Sequence, residues 1–301
     1  MRVTVTGAGG LVGRRLVDTL QARGDDVTVL SRDPARTARA LGAEALPWQP
    51  LDGAAPAAAL AGRDAVVHLA GERVDQRWTE EAKRAIHASR EVGTRNLVAG
   101  LRGAEPRPAV LVSASAVGYY GPRGDEVLDE SAGPGDDFLA RVCVAWETEA
   151  ERAEELGMRV VRVRTGVVLD RHGGALGRML VPFRLGVGGP VAGGEQWMPW
   201  IHADDLVRMY LAAIDDERWS GPVNASAPEP ARNRDFSRAL GRALHRPAVL
   251  PVPGAALRLL YGDMAEIVTE GQRVVPRRAQ DLGFAFRHAA LDAALRDALG
   301  A

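Results

Sequence analysis

Three glycines near the start of the chain have the spacing of a phosphate-binding turn. They are Gly7, Gly10 and Gly13, preceded by the strand-like run 3–6 and followed by a helical pattern. Gly7 permits a tight turn, Gly10 leaves the backbone open to a pyrophosphate, and Gly13 lets the helix pack closely against the strand. The amino terminus of that helix would face the phosphate charge. Because a second strand-like run follows at 26–30, the context favours a dinucleotide-binding βαβ unit over an ordinary strand–helix turn.

The residues after the second strand indicate which dinucleotide fits. A site for NAD usually has an acidic residue about twenty positions beyond the glycines, where it accepts both ribose hydroxyls. Here Ser31 and Arg32 occupy that place, and Arg14 and Arg36 add positive charge. A hydroxyl and a guanidinium can bind a 2′-phosphate, which a carboxylate would repel. We therefore expect NADP(H), with Arg32 recognising the phosphate; the alternative is that Arg32 is a solvated loop residue.

A second group of residues could transfer protons. Ser115 lies at the end of an apolar run, Tyr119 and Tyr120 follow it closely, and Glu72 comes after a small-residue turn. A hydroxyl, phenol or carboxyl group beside a nicotinamide could exchange the proton that accompanies hydride transfer. The alternative for the tyrosines is that one packs beneath the loop and the other is exposed. We name these four residues as catalytic candidates.

An aromatic cluster could line a pocket for an organic ligand. Trp197, Trp200 and His202 follow a glycine-rich stretch between 173 and 194. Aromatic walls with a few polar groups are typical of small-molecule sites, although a hydrophobic mini-core would give the same pattern. His202 stands beside two aspartates, which favours a structural hydrogen bond over a general base. The scattered histidines show no metal-ligand spacing, so no metal site is predicted.

The elements that must position these residues alternate between strand and helix. Four further apolar runs predict strands, at 64–71, 109–113, 159–164 and 221–226. Helical patterns cover roughly 80–101 and 139–156. This alternation predicts an α/β fold, a Rossmann-type doubly wound parallel sheet. Ligands of such sheets bind beyond the carboxyl ends of the strands, so those ends should converge on one crevice.

The last part of the chain is less regular and predicts a second, smaller unit. We divide the chain into an NADP-binding Rossmann domain over 1–230 and a small carboxy-terminal α+β domain over 231–301. The stretch 170–195 is expected to contribute to the substrate cleft. Two or three amphipathic helices are expected from Asn233 onward.

Composition excludes several classes of function. The net charge of −1 and the 46% hydrophobic content are those of an ordinary globular protein without a basic stripe for nucleic acid. No apolar run could span a bilayer, and the chain opens on a core strand rather than a cleavable leader. The single cysteine, Cys143, is expected to be a buried helical thiol in a reducing compartment. We expect a cytoplasmic protein acting on a small molecule, as a monomer or a homodimer.

The chain resembles the extended branch of the short-chain dehydrogenase/reductase superfamily, and within it the atypical group called the epimerase family. That group carries a carboxy-terminal domain of unknown function. The resemblance covers essentially the whole length and rests on segments 6–13, 68–72, 77–79, 89–94, 113–121, 164–169, 196–205, 224–228, 271–276 and 283–286. It implies an NADP-binding fold but no agreed substrate. With the glycine turn and the strand ends, it gives the candidate cofactor-binding residues: Thr6, Gly7, Gly9, Gly10, Leu11, Val12, Gly13, Ser31, Arg32, Leu69, Ala70, Gly71, Arg90, Ser113 and Thr165.

The same resemblance exposes a missing catalytic pair. Typical members of the superfamily use Tyr-x-x-x-Lys, in which the lysine charge lowers the pKa of the tyrosine so that its phenol can exchange a proton. If Glu147 is the glutamate that follows the pair, the pair falls on Leu139 and Cys143. Neither residue can titrate as required. Lys83, the only lysine, lies on another predicted helix.

Two classes of function therefore stay open. The first is an NADP(H)-dependent oxidoreductase or nucleotide-sugar-epimerase-like enzyme with an unknown small substrate. The second is a non-catalytic NADP(H)-binding redox sensor or regulatory protein. Between them lies an enzyme that recycles a tightly bound NADP⁺ as an internal oxidant.

Overall fold

The computed structural model describes residues 1–300. Its strands are β1 (Arg2–Thr6), β2 (Asp26–Ser31), β3 (Glu44–Pro47), β4 (Ala65–His68), β5 (Val110–Ala116), β6 (Val127–Leu128), β7 (Arg159–Thr165), β8 (Val167–Leu169), β9 (Trp197–Met198), β10 (Trp200–His202), β11 (Gly221–Ala225), β12 (Ala231–Arg232) and β13 (Arg273–Val274). Its helices are α1 (Leu11–Ala22), α2 (Pro34–Leu41), α3 (Glu80–Arg102), α4 (Phe138–Glu151), α5 (Gly174–Arg184), α6 (Ala203–Asp215), α7 (Asn233–Leu244), α8 (Gly254–Tyr261), α9 (Glu266–Thr269), α10 (Arg277–Asp281) and α11 (Leu291–Leu299).

Seven of these strands form one parallel sheet in the order β11-β7-β5-β4-β1-β2-β3. The strand order reverses between β1 and β4, because the chain builds outward to β3 on one side and to β11 on the other. A crevice forms at such a reversal, beyond the carboxyl ends of the strands. The predicted Rossmann-type fold is confirmed.

Helices cover both faces of the sheet. On one face, α1 and α6 bury Leu16 and Tyr210 against the strands. On the other face, α3 and α4 bury Leu97 and Ala150. The central strands are consequently covered on both sides, and every residue of β4 is buried. This rigid sheet fixes the position of each strand end at the crevice.

The predicted helix over 80–101 corresponds closely to α3, whereas the one over 139–156 is shorter than expected. The helix α4 ends at Glu151, and a separate 3₁₀ turn covers Glu154–Leu156. The break begins where the amide of Ala153 bonds to the carbonyl of Ala150, three residues back instead of four.

After Asn233 the chain forms five helices, α7 to α11, rather than the two or three expected. Two of them, α9 and α10, have four and five residues, which is too short to show a helical period in the sequence. The helix α11 packs against α7, and β13 pairs with β6 of the first part of the chain. The division at residue 230 stays a prediction. Within residues 1–300, no helix is both long enough and apolar enough to cross a bilayer.

Candidate functional site

The glycine turn between β1 and α1 has the tight bend at Gly7 and the close packing at Gly13 that the spacing predicts. Gly10, expected to be the open position, is not: a Cβ there would lie 3.3 Å from the carbonyl oxygen of Gly7. Gly7 has a φ of +69°, and a Cβ there would lie 2.5 Å from the backbone carbon of Leu69. A Cβ at Gly13 would lie 2.4 Å from the carbonyl oxygen of Gly7, so strand and helix meet without room for a side chain. A Cβ at Gly9, by contrast, would meet no atom within 4 Å. The turn therefore has no room for a side chain at Gly7 or Gly13, whereas a side chain at Gly9 would meet no protein atom.

The amino terminus of α1 faces this open side without a protein group to neutralise it. The residue at the N-cap position is Gly10, which has no side chain to cap the helix. The first turn of α1 also contains no acidic residue. Leu11 and Val12, which begin the helix, are half-buried. The Leu11 side chain is close to Gly173, so the 170–195 stretch borders the turn. Free amides at a helix start attract anionic groups.

A buried chain of hydrogen bonds holds the opposite side of the crevice. Thr6 Oγ1 accepts hydrogen bonds from the amides of Leu69 and Ala70, each at 3.2 Å. It lies 2.7 Å from His68 Nδ1, and His68 Nε2 lies 3.0 Å from Thr94 Oγ1. Since the threonine hydroxyl accepts from two amides, its proton goes to Nδ1, and Nε2–H then donates to Thr94. Burial lowers the pKa of His68 to about 4, so the ring stays neutral.

The hydrogen bonds that connect Thr6, His68 and Thr94 hold the Leu69–Ala70 turn against Gly7. Thr6, Leu69 and Ala70 were among the candidates from sequence, but His68 and Thr94 were not. The signal that could have found His68 is a histidine at the end of a strand that is otherwise apolar. Thr94 lies on α3, far along the sequence, and no local pattern connects it to the turn.

The Arg90 guanidinium lies against Gly71 and Glu72, the residues that follow the Leu69–Ala70 turn. Its Nη1 donates to the carbonyl oxygens of Glu72 and Ile86, at 3.0 and 3.2 Å. Its guanidinium lies 5.0 Å from the Trp146 ring, and a Cβ at Gly71 would lie 3.3 Å from its Cζ. Burial lowers the pKa of Arg90. No carboxylate within residues 1–300 forms an ion pair with it, so its charge is available to an anionic ligand.

Three arginines without an ion pair in residues 1–300 surround the end of β2, where the 2′-phosphate is predicted to bind. Ser31 ends β2, and its hydroxyl is hydrogen-bonded to Thr37 Oγ1 at 2.7 Å. Arg32 follows it and is exposed, as are Arg14 on α1 and Arg36 on α2. In the part of the chain that the structure describes, none of these three guanidinium groups has a hydrogen bond or an ion pair. The acidic residue of an NAD site is absent from the end of β2.

Ser115 lies at the end of β5 within a buried polar cluster. Its Oγ donates to Glu147 Oε1 at 2.6 Å. Arg164 donates two hydrogen bonds to the same carboxylate, from Nε to Oε1 and from Nη2 to Oε2, both at 2.8 Å. The Tyr120 hydroxyl donates to Asn224 Oδ1 at 2.6 Å and accepts from Arg164 Nη1 at 3.0 Å. Tyr120 has no exposed surface, and burial raises its pKa to about 12.

Tyr119 differs from its neighbour in both exposure and bonding. It is half-buried, and its hydroxyl has no hydrogen bond within residues 1–300. The Arg164 guanidinium lies 3.5 Å from its ring centre, and the Tyr120 ring meets it edge-on at 5.3 Å. Of the two tyrosines, Tyr119 is thus the one with a free phenol.

Three other candidates occupy the strand ends or the adjacent turn. Ser113 is buried on β5 and donates to the carbonyl of Ala114 at 3.2 Å, and Thr165 ends β7 and donates to the carbonyl of Val163 at 3.2 Å. Glu72 follows the small-residue turn and is half-buried. Its carboxylate has no hydrogen bond or ion pair in residues 1–300. These residues share the edge of the sheet at which the glycine turn lies.

The aromatic cluster separates into different environments. Trp200 has no exposed surface, donates to the carbonyl of Glu229 at 3.1 Å, and packs with Phe236 in the core. Trp200 is therefore part of a hydrophobic mini-core, and it does not line a pocket because apolar side chains cover its ring. Trp197 is half-buried and donates to Asp125 Oδ1 at 2.7 Å. His202 is buried and caps α6 by accepting the Asp204 amide at 3.2 Å. It thus makes the structural hydrogen bond that the sequence favours over a role as a general base.

Comparison with known proteins identifies the family of this fold and site. Residues 3–225 match the model of the NAD dependent epimerase/dehydratase family. The chain belongs to that family. Residues 252–298 match a second model, a domain of unknown function called DUF1731. The resemblance seen in the sequence motifs is confirmed.

Individual members of the family match over the whole chain. The Epimerase family protein SDR39U1 homolog, chloroplastic, of Arabidopsis thaliana is 42% identical over 98% of this chain and 86% of the relative. The structure of human epimerase family protein SDR39U1 (isoform 2) with NADPH has a TM-score of 0.89 at 36% identity, covering 100% of this chain and 99% of that one. A nucleoside-diphosphate sugar epimerase from Corynebacterium glutamicum has a TM-score of 0.81 at 36% identity, covering 100% of this chain and 58% of that one.

The two positions to which the resemblance assigns the usual catalytic pair, Leu139 and Cys143, have environments without a titrating partner in residues 1–300. Leu139 packs with Phe138 and Trp78, and it lies against Gly118, where a Cβ would be 3.3 Å from its own. Cys143, one turn further along α4, is buried, and burial raises its pKa to about 12. The expectation of a buried helical thiol is confirmed. Any proton transfer at this site must use another group.

Proposed function

We propose that this protein is an NADP(H)-binding, atypical short-chain dehydrogenase/reductase that transfers hydride to or from a small carbonyl or alcohol. The observation that carries the proposal is the glycine turn, which has no room for a Cβ at Gly7 and Gly13, has open space at Gly9, and leads into the uncapped start of α1. Human SDR39U1, with which the chain shares its fold over its full length, has been solved with NADPH.

The pyrophosphate would lie over Gly9 and Gly10, against the free amides at the start of α1. Such amides bind phosphate oxygens and the helix dipole favours their charge. The Thr6–His68–Thr94 hydrogen bonds hold the Leu69–Ala70 turn in place. Cofactor binding would therefore cost little conformational entropy at this turn. Arg90, partly buried and without a carboxylate partner, would contribute charge to the same anion.

The 2′-phosphate would be recognised by Arg32, with Arg14 and Arg36 adding positive charge. All three guanidinium groups are exposed and lack protein partners in residues 1–300, so none must break an ion pair to bind. The hydroxyl of Ser31 lies at the same strand end. Charge-assisted bonds to phosphate are among the stronger hydrogen bonds in proteins.

For the proton, the arrangement favours Tyr119. When bound, the cofactor supplies or accepts the hydride. Tyr119 has the free phenol, and the Arg164 guanidinium against its ring would stabilise the phenolate that remains after proton donation. Tyr120 and Ser115 are less suited because their hydroxyls are engaged in the buried Glu147–Arg164 cluster. Glu72, whose carboxylate has no partner in the described residues, is the second candidate.

A second function is favoured by the apolar pair Leu139 and Cys143. A site that has lost its titratable pair can retain the cofactor without turnover, as a redox sensor would. Such a protein would bind NADPH and NADP⁺ equally stably by itself, and a partner would distinguish the two complexes. It would not consume NADPH with any substrate.

Single-turnover mixing tests hydride transfer directly. Protein loaded with NADPH carrying deuterium at C4 would be mixed with panels of carbonyl compounds and sugar nucleotides. The proposal expects deuterium in one product together with loss of NADPH absorbance. Unchanged NADPH throughout the panels, with binding to a partner that depends on the cofactor redox state, would instead support the sensor.

A further inference from the structure

Four potential metal ligands meet at the junction between the Rossmann sheet and the carboxy-terminal helices. His202 and Asp204 stand at the start of α6, His288 lies just before α11, and Asp297 lies on α11. One nitrogen or carboxylate oxygen from each residue lies within 4.8 Å of those of the other three. The cluster lies on the flank of α1, where Arg15 pairs with Asp204 at 3.2 Å, and it is not part of the proposed cofactor site.

One of these ligands, His202, is buried with one of its two ring nitrogens lacking a hydrogen-bond partner within residues 1–300. The His202 side chain is 4% exposed, and its Nε2 has no hydrogen-bond partner. Asp297 Oδ2 lies 3.2 Å from that nitrogen but outside hydrogen-bonding alignment. The His288 ring stacks on His202 with centroids 3.7 Å apart. A buried polar atom without a partner is uncommon in folded proteins and requires an explanation.

We propose that His202, His288, Asp204 and Asp297 bind one divalent cation of the zinc type. Two imidazoles and two carboxylates suit Zn²⁺, which takes four nitrogen, oxygen or sulfur ligands, better than Mg²⁺ or Ca²⁺, which take oxygen ligands. The two carboxylates balance the charge of the ion. Metal binding would give the orphan Nε2 of His202 the partner that it lacks.

Binding requires one proton to move within the His202 ring. Its Nδ1 accepts the Asp204 amide at 3.2 Å, so in the free protein the proton of the neutral ring is on Nε2. The metal takes the lone pair of Nε2, and the proton then belongs on Nδ1. One long hydrogen bond at the start of α6 is exchanged for a metal bond. The ring stays neutral: water takes the proton from Nε2 and supplies one to Nδ1, so the number of protons on the ring does not change.

The ion would fasten the two units of the chain together. His202 and Asp204 belong to the Rossmann part, whereas His288 and Asp297 belong to the carboxy-terminal part. In the metal-free protein, the carboxylate of Asp205 already joins these parts by accepting the amides of Arg287 and His288, at 2.9 and 2.8 Å. A metal beside this contact would add stability that a chelator removes.

The test is calorimetric titration of ZnCl₂ into chelator-treated full-length protein, with two ligand variants and two controls. His288→Gln and Asp297→Asn should weaken binding at least about tenfold. Asp292→Asn is the matched control, because this residue lies on the same helix but pairs with Arg242. His87→Gln controls for the other histidine–carboxylate pair, His87 with Glu91 at 3.1 Å. Both controls should bind one equivalent of zinc as the wild type does.

Two further readouts keep the result independent of variant folding and of cofactor binding. In the wild type, zinc should raise the thermal midpoint, EDTA should reverse the rise, and the ¹⁵N signal of His202 Nδ1 should become that of a protonated nitrogen. NADPH affinity should not change. The proposal is overturned by the absence of saturable binding in the wild type, or by binding that His87→Gln abolishes and Asp297→Asn leaves intact.

Discussion

Ser115 Oγ donates a 2.6 Å hydrogen bond to Glu147 Oε1 in the interior of the protein. The carboxylate is in turn held at two points by Arg164. The hydroxyl at the end of β5 is thus committed to a buried ionic cluster, and apolar surroundings hold Leu139 and Cys143, the positions that the resemblance assigns to the usual tyrosine and lysine. Tyr119, whose ring centre lies 3.5 Å from the same guanidinium, keeps a hydroxyl outside this cluster.

Replacing the tyrosines one at a time should separate chemistry from stability. Tyr119→Phe removes a phenol without a hydrogen bond, so hydride transfer to an active carbonyl should fall while the thermal midpoint and NADPH affinity stay near wild type. Tyr120→Phe leaves Asn224 Oδ1 without its donor and should cost about 1–3 kcal/mol of unfolding free energy. Urea unfolding and single-turnover rates measure the two effects. Equal turnover in wild type and Tyr119→Phe would remove Tyr119 from the mechanism.

Removing one partner of the buried Glu147–Arg164 pair should destabilise the protein strongly. Glu147→Gln leaves the Arg164 guanidinium buried without its counter-ion, which typically costs about 3–5 kcal/mol. Ser115→Ala removes only one hydrogen bond to the cluster and should cost about 1 kcal/mol. Denaturant unfolding of both variants gives the comparison. If Ser115→Ala proved as costly as Glu147→Gln, the assignment of the main stabilising contact would be wrong.

Acid should weaken the protein partly through His68. Its pKa falls from the ordinary 6.5 to about 4 on folding because the buried ring is held neutral. Between these values the unfolded chain binds the extra proton, so stability rises with pH across the window and is lost as pH falls through it, by about 3 kcal/mol. The difference in unfolding free energy between wild type and His68→Asn, followed from pH 6.5 to pH 4, should therefore shrink. A constant difference would show that His68 does not titrate in this way.

Alanine at Gly9 should oppose the cofactor without disturbing the protein. Its Cβ would meet no protein atom within 4 Å, but it would point into the space proposed for the pyrophosphate. Gly9→Ala should consequently keep the wild-type thermal midpoint and bind NADPH more weakly. Gly53→Ala is the matched control, since a Cβ there also meets nothing within 4 Å. Similar NADPH affinity in both variants would contradict the placement of the pyrophosphate.

The parts of the fold that the sequence predicts correctly depend on local patterns. The glycine turn needs only the order of strand, glycines and helix, and the parallel sheet follows from the alternation of apolar runs and helical periods. The assignment of Leu139 and Cys143 comes from the resemblance to the family, counted back from Glu147, and it stays a prediction. Short helices such as α9 have too few residues to show a period.

The unpredicted parts depend on contacts between distant segments. Nothing near His68 in the sequence points to Thr94, and nothing near Ser115 shows that Arg164 would hold its acceptor. For Trp200, an aromatic residue beside polar neighbours fits a pocket wall and a core equally well until its surroundings are known. His202 and His288 meet only because the segment before α11 is held at the start of α6, where Asp205 accepts the amide of His288.

The measurement that tests the central claim most directly is the affinity of the protein for NADPH and NADH, in the wild type and two charge variants. NADPH should bind at least about tenfold more tightly than NADH, the equivalent of one charge-assisted hydrogen bond. Arg32→Asp should abolish or reverse this preference, whereas Arg39→Asp, the same charge change on α2 where Arg39 donates to the carbonyl of Ala35, should preserve it. Equal affinity for the two cofactors in the wild type, or loss of the preference in both variants alike, would contradict the account.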